Sequence, residues 1–241
     1  MCIRDRMETL PDALALAQTM VDIGKLAGKP VVAVITSMAQ PLGTHIGNAL
    51  EVKDAIDVLA GRTQGDLLEI SLLLGSHMLV LAEKVKTLPE ARAMLENALS
   101  SGAGLRKLAE MIAAQGGDPR VVEDLSLLPQ AAVKRVMRAE TAGYLSAMDT
   151  TALGMAAQRM GAGRAKKSDM LDYSVGYVLH VRLGDEVTED TPLATLYARN
   201  EAEAEEAEKA IRKALTIAKE KPQTPKLWDA VVTAEGITYN R

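Results

Sequence analysis

The chain has one cysteine, no phenylalanine, one tryptophan and only 2% aromatic residues in a length of 241. With Cys2 alone, an internal disulfide framework and a cysteine-based metal knuckle are both excluded within this sequence. So few rings argue against a base-stacking surface for single-stranded nucleic acid. Lys and Arg number 28 against 32 acidic residues, and the net charge of -4 is the reverse of a phosphate-backbone footprint. No apolar run approaches the roughly 20 residues that a membrane-spanning helix needs. Neither nucleic acid nor membrane is therefore an expected partner. The opening MCIRDR is charged and has no apolar stretch behind it, unlike a secretory signal, so a cytoplasmic location is the expectation.

What the sequence does hold is aliphatic. Hydrophobic residues make up 48% of a 25.7 kDa chain, so its core must be built from Leu, Ala, Val, Ile and Met. A chain of this length suits one large or two small domains and would bury roughly 70 to 75% of its unfolded surface. Thr9-Leu-Pro-Asp12 is a capping arrangement, and Leu10, Ala13, Leu14, Ala17 and Val21 then recur at helical spacing up to Gly24. Lys29-Pro30 ends that helix.

The stretch 31–61, VVAVITSMAQPLGTHIGNALEVKDAIDVLAG, is the most informative. Five apolar or β-branched residues, a polar turn and a helix opening at Gly47-Asn48 spell an α/β unit. In open α/β sheets ligands gather at the strand's carboxyl end, which places the loop 36–40 under suspicion. Asn48 is a good N-cap with Glu51 three residues on, and Gly61 a plausible stop. Gly47-Asn48-Ala49 lacks the glycine spacing of a dinucleotide fingerprint, so a helix cap is its better reading.

Asp66 can cap a helix to about Lys84 with almost no polar face, which predicts a central buried helix. Thr87-Leu-Pro-Glu90 starts another to about Ser100, and one more spans 105–114. Past Pro129 the pattern changes to short strands, at 133–138, 144–148, 173–181 and 192–198. A helix capped by Asp149 and a charged helix from Glu201 to about Lys219 interrupt and follow them. The expected class is α/β: a partial α/β domain with mostly buried helices over 7–130, then a small α+β, barrel-sandwich-like carboxy-terminal domain over 131–241.

The run M-x-Q-P-L-G-x-x-x-G-N-A-L-E-V-K-x-A-I-x-x-L, starting at Met38, resembles the bacterial pyrimidine-nucleoside and thymidine phosphorylases. The likeness continues through LGSHM (74–78), AAQGGD (113–118), LPQAA (128–132), GAGRAKK (161–167) and DYSVG (172–176). Order and spacing together make it specific, from about Met7 to the end. The family's phosphate loop, Lys-His-Ser-(Ser/Thr)-Gly-Gly, has no match in these 241 residues, nor do the arginine and serine that hold the pyrimidine. Of its base-binding Asp-Val-Lys-x-Gly-x-Gly-Ala-Phe-Met motif only Met7 is present. Residues 1–6 match nothing in the family and read as a foreign lead-in on a truncated product.

The resemblance implies a pentosyltransferase of nucleoside salvage: phosphate, the co-substrate, cleaves a pyrimidine (deoxy)nucleoside to free base and (deoxy)ribose 1-phosphate. It implies no catalytic residue in this chain, which should then be inactive alone, and a homodimer paired through a helical domain absent here. Met20 falls where the family sets an apolar side chain against the pyrimidine. Glu69, with the carbonyls of Leu59 and Ala60, falls where a helper potassium ion is held, as half a site. Uridine and thymidine preference stay open. Two alternatives remain: an AMP or thiamine-type phosphorylase of the same superfamily, and a lipoyl- or biotinyl-like carrier. Against the carrier, Ala147-Met-Asp149 puts an aspartate where the modified lysine would stand. His45, His77 and His180 lack metal-ligand spacing, and Lys166 and Lys167 read as a solvated loop.

Overall fold

The structure, a computed structural model, describes residues 9–240; the lead-in 1–6 and Met7 lie outside the described residues. In chain order come α1 (Leu10–Leu26), β1 (Ala33–Thr36), β2 (His45–Ile46), α2 (Asn48–Leu59), α3 (Asp66–Leu81), α4 (Leu88–Ser100) and α5 (Ala103–Ala114). Two 3-10 turns, Pro119–Val122 and Leu125–Leu127, lead to β3 (Val133–Arg138), β4 (Gly143–Met148) and α6 (Thr150–Ala157). Then follow β5 (Gly176–Leu179), β6 (Glu186–Val187), β7 (Pro192–Ala198), α7 (Glu201–Ala214) and β8 (Leu215–Ala218). The hairpin β9 (Trp228–Thr233) and β10 (Gly236–Tyr239) completes the order. The mixed α/β class holds. Every strand pairing among the described residues is antiparallel. No helix among them is long and apolar enough to cross a membrane.

Two compact units form, and they interleave in sequence. The described parts of the first are 9–38, 64–100 and 225–240; the second holds 39–63 and 101–224. The physical reason is the closing hairpin, which returns to pair β9 with β1, Ala33 opposite Val232 and Ile35 opposite Ala230.

In the first unit, α1 starts as its capping residues require: Thr9 Oγ1 accepts from the Asp12 amide at 3.3 Å, and Pro11 sits in the first turn where no amide is needed. Its buried face is made of small residues, Ala13, Ala17, Val21 and Gly24, which pack on Ala33, Ile35, Ala230 and Val232. A Cβ on Gly24 would stand 2.4 Å from Val31 Cγ2, so the close approach needs glycine. Helix α4 opens on the capping box read from the sequence, with Glu90 N–H donating to Thr87 Oγ1 and the Thr87 amide to Glu90 Oε2. Helix α3 packs on α4 through Gly75, whose Cβ would lie 2.9 Å from Leu95 Cδ1. The expectation of a wholly buried α3 fails: Leu68, Ile70, Leu72 and Ser76 are buried, but Leu74 is 43% and Met78 68% exposed. One small helix, α4, cannot cover an all-round apolar partner.

The second unit owns the larger core. Strand β7 is buried along most of its length between β5 and β3, with Leu196 opposite Tyr177 on one side and Arg135 on the other. Leu145, Leu153, Leu179, Leu193 and Ile211 fill the space under α6 and α7. Tyr177 is fully buried and donates its hydroxyl to the Leu153 carbonyl at 2.8 Å, while burial raises its pKa. Sheets β2-β5-β7-β3 and β6-β4-β8 stay open, so no barrel closes. Helix α7 stops at Ala214 instead of reaching Lys219, because the Leu215–Ala218 segment, with β-branched Thr216 and Ile217, pairs with β4.

Helix α7 is fastened by ions. Glu208 pairs with Arg135 of β3 at 2.8 Å and with Arg212 at 2.9 Å, its side chain only 19% exposed. Replacing it leaves two guanidinium groups facing each other across a half-dry seam. The Glu208→Gln protein should lose about 1–3 kcal/mol in urea unfolding, whereas Glu205→Gln, in an exposed pair with Lys209, should be close to neutral.

Candidate functional site

The loop that follows β1 behaves first as structure. In the first unit the Ser37 amide donates to the Leu227 carbonyl at 3.0 Å. In the second, Gln40 Oε1 accepts from the Leu183 amide at 2.9 Å and the Pro41 carbonyl accepts from Arg182 at 2.6 Å. Strand β1 pairs with an antiparallel neighbour, β9, among the described residues.

The next residues enter β2, which pairs with β5, His45 opposite Val178 and Ile46 opposite Tyr177. Here two glycines cross. A Cβ on Gly47 would lie 2.4 Å from the Val175 oxygen, and one on Gly176 would lie 2.1 Å from the Ile46 oxygen; both residues have positive φ, 141° and 148°. The glycine of the Gly-Asn step is thus demanded by packing. It is also the N-cap of α2, where Asn48 was expected; its amide reaches Glu51 Oε1 at 3.4 Å. Asn48 instead donates Nδ2 to the Ala162 carbonyl at 2.8 Å, because the Gly163-bearing loop stands opposite it.

Three motif pieces that are far apart in sequence therefore converge on the start of α2. The Ala49 amide donates to the Tyr173 carbonyl, and the Asp172 amide to the Gly161 carbonyl, both at 3.0 Å. Asp172 accepts from Ser174, which with Arg199 nearby holds its carboxyl below the usual range. Helix α6 widens into a π turn over Gln158–Ala162 before this loop. Between them lies a cleft of 440 Å³ lined by Gly47, Asn48, Glu51, Gln158, Gly163 and Arg164, among others. It offers a guanidinium, a carboxylate and two amides as hydrogen-bonding groups. Sequence reasoning assigned these residues to caps and loops; only the spacing of the shared motif pieces hinted that they meet.

The individually named residues fall as follows. Met20 lies on α1, half-buried and outside the α1–β1–β9 core. Leu59 and Ala60 end α2 in the second unit, past the acceptors of its closing turn: Ile56, Val58 and Asp57 take the Ala60, Gly61 and Arg62 amides. Glu69, on α3 of the first unit, gives both oxygens to Arg92 at 3.0 Å, and these bonds raise the arginine's pKa. Among the described residues no three His, Cys, Asp or Glu side chains gather as a metal site.

The histidines are each held differently. His45 Nδ1 lies 3.0 Å from Thr44 Oγ1 and 3.5 Å from the buried Asp54 carboxylate, with Lys53 Nζ 3.5 Å from Nε2. Burial lowers its pKa more than Asp54 raises it. His180 Nε2 is 2.7 Å from Thr195 Oγ1 and is lowered by burial and then by Lys134; His77 is lowered by burial. All three therefore favour the neutral ring. Asp149, the position compared with a carrier lysine, accepts from the Ala152 amide at 2.8 Å as N-cap of α6, so it is a helix start and no hairpin tip. That removes the carrier reading.

Comparison with known proteins matches two family models to the chain. Residues 7–105 match the a/b domain of a glycosyl transferase family, and 144–218 match the pyrimidine nucleoside phosphorylase C-terminal domain. The chain is 49% identical over 195 residues to pyrimidine-nucleoside phosphorylases of Geobacillus stearothermophilus and Bacillus subtilis, covering 81% of this chain and 45% of each relative. With the Staphylococcus aureus (strain USA300) protein of the same name it shares 44% over 212 residues, 88% of this chain and 49% of the relative. The chain thus spans about half the length of the curated relatives it matches.

Two outcomes follow from the geometry. Gly176→Ala sets a Cβ against a backbone oxygen at a positive φ, so it should destabilise the protein by about 2–4 kcal/mol in chemical denaturation. Asn48→Ala, losing one side-chain bond, should cost about 1 kcal/mol. Because the histidine pKa values lie below 6.5 when folded, the unfolded chain binds more protons just under that pH. Stability should be full above pH 6.5 and decline as pH falls below it, before carboxylates titrate, when urea midpoints are compared stepwise.

Proposed function

Because this chain belongs to the pyrimidine-nucleoside phosphorylase family, we propose that it forms the later part of a pentosyltransferase of nucleoside salvage. The reaction is phosphorolysis: a phosphate oxygen attacks the anomeric carbon of a pyrimidine (deoxy)nucleoside. The carbon–nitrogen bond breaks with its electron pair going to the base, which leaves as an anion and is protonated. The products are free base and (deoxy)ribose 1-phosphate. Such a step needs donors around the phosphate and on the departing base. The observation that carries this reading is the 49% identity over 195 residues, which includes the motif pieces that meet at the start of α2. The relatives' shared name favours this activity over an AMP or thiamine-type phosphorylase.

Within that enzyme the residues described here have supporting roles. The two matched segments lie on either side of residue 130, which supports 131–241 as the family's carboxy-terminal domain even though the closing hairpin pairs with β1. Met20, half-buried on α1, is the proposed apolar contact for the pyrimidine ring. Potassium is the proposed helper ion, held by the Leu59 and Ala60 carbonyls and Glu69; carbonyl oxygens at a helix end suit a hard cation. Glu69 fits less readily, since it must exchange the Arg92 guanidinium for the ion. When bound, such an ion would offset negative charge and fix the carbonyls in place. A homodimer and a cytoplasmic location complete the proposal.

The 241 residues contain no Lys-His-Ser-(Ser/Thr)-Gly-Gly run, and the cleft at α2 presents no cluster of cations for a phosphate dianion. Purified as given, the chain should release no thymine from thymidine and no uracil from uridine in the presence of phosphate, followed by absorbance. Measurable turnover would falsify the supporting role assigned to it.

A further inference from the structure

One cleft of the second unit holds opposite charges that the fold leaves almost unengaged. It is the 440 Å³ space between the start of α2 and the π turn after α6, within the roughly 300–1,000 Å³ of small-molecule clefts. Asn48 and Glu51 lie three residues apart on α2 and so share a face, and Met155 and Gln158 do the same at the end of α6. Arg164 comes from the loop that follows.

The side-chain nitrogen of Asn48 donates to the Ala162 carbonyl at 2.8 Å, and that of Gln158 to the Arg164 carbonyl at 2.7 Å. Each amide is thereby oriented, and neither amide oxygen accepts a bond among the described residues. Glu51 has only the Gly47 amide, at 3.4 Å. The Arg164 guanidinium has no partner among the described residues. The neighbouring carboxylates are already used: Asp169 accepts from the Ala165 and Lys166 amides, and Asp172 from Ser174. The cleft therefore presents three acceptors, one of them anionic, and one cation with its fork of N–H donors. Its remaining wall is aliphatic, Ile46, Met155, Ala157 and Ala162, with Met155 left 42% exposed.

We propose that this cleft binds a free α-amino acid with an aliphatic side chain of leucine's size. An ammonium group has three N–H donors, which match Glu51, Asn48 Oδ1 and Gln158 Oε1 one for one. The carboxylate takes the planar fork of Arg164, the pairing that guanidinium geometry favours. The side chain lies against Met155 and Ile46, removing apolar surface from water. A phosphate or dicarboxylate would meet the Glu51 charge, and a simple amine the Arg164 charge. A ligand carrying both signs fits better than either. The inference stands apart from the proposed phosphorolysis and needs none of its groups.

Both ionic groups are exposed, so binding is weak, with a Kd of about 0.1–1 mM. Titrating L-leucine into the 241-residue chain should give saturable shifts of the Asn48, Gly163 and Arg164 amide resonances in NMR spectra. Free glycine, lacking the side chain, should bind about tenfold more weakly. Arg164→Gln breaks no side-chain bond of the fold, and Glu51→Gln keeps an acceptor for the Gly47 amide, so both should melt like the parent. Each should weaken leucine binding about fivefold. Two fragments of the ligand separate the contacts. Isocaproate, without the ammonium, should respond to Arg164→Gln alone, and isopentylamine, without the carboxylate, to Glu51→Gln alone. Absence of saturable shifts up to about 20 mM leucine overturns the proposal. So does free glycine binding as tightly as leucine, or fragments whose losses do not sort by charge.

Discussion

The crossing of Gly47 and Gly176 is the contact on which the second unit depends. Two backbones approach so closely there that a methyl group on either would overlap a carbonyl oxygen. That proximity lets β2 join β5 and starts α2 where the Gly161 and Tyr173 loops can be reached by Asn48 and Ala49. Side chains could not substitute for it. The hydrogen bonds around the cleft are ordinary in strength; what makes them possible is the missing Cβ.

Charge is distributed in keeping with a scaffold. The surface pairs, such as Glu69 with Arg92 and Glu205 with Lys209, are exposed and contribute little singly. The half-buried Arg135–Glu208–Arg212 set matters more, since Glu208, with its side chain only 19% exposed, bridges both guanidinium groups. Burial favours the neutral form of the three histidines. The family's chemistry asks for cations and donors converging on two anions. The described residues supply walls, a helix start and carbonyl ends, consistent with a supporting part in the proposed phosphorolysis.

Local elements were legible where local physics governs them. The caps at Thr9, Thr87 and Asp149 and the strands Val133–Arg138 and Pro192–Ala198 stand where their residue types place them. Asn48 was misread because both Gly and Asn favour a cap, and a distant carbonyl, that of Ala162, decided between them. The hairpin at 228–239 escaped notice behind Pro222 and Pro225, which mark a tail unless a partner strand is known. The helical reading of 215–218 failed for the same reason: a run of Leu, Thr, Ile and Ala takes the state its neighbour β4 offers.

By itself the sequence determined most of the helical and extended segments, the family, and the single thiol that narrows the chemistry. These follow from periodicity, capping and composition, properties of residues near one another in the chain. Tertiary structure alone decided that β1 would be completed by the last strands, that α3 would keep exposed apolar positions, and that three separated motif pieces would share one cleft. Each depends on pairings between residues up to about two hundred positions apart, such as Ala33 with Val232, and no local preference encodes a partner at that distance.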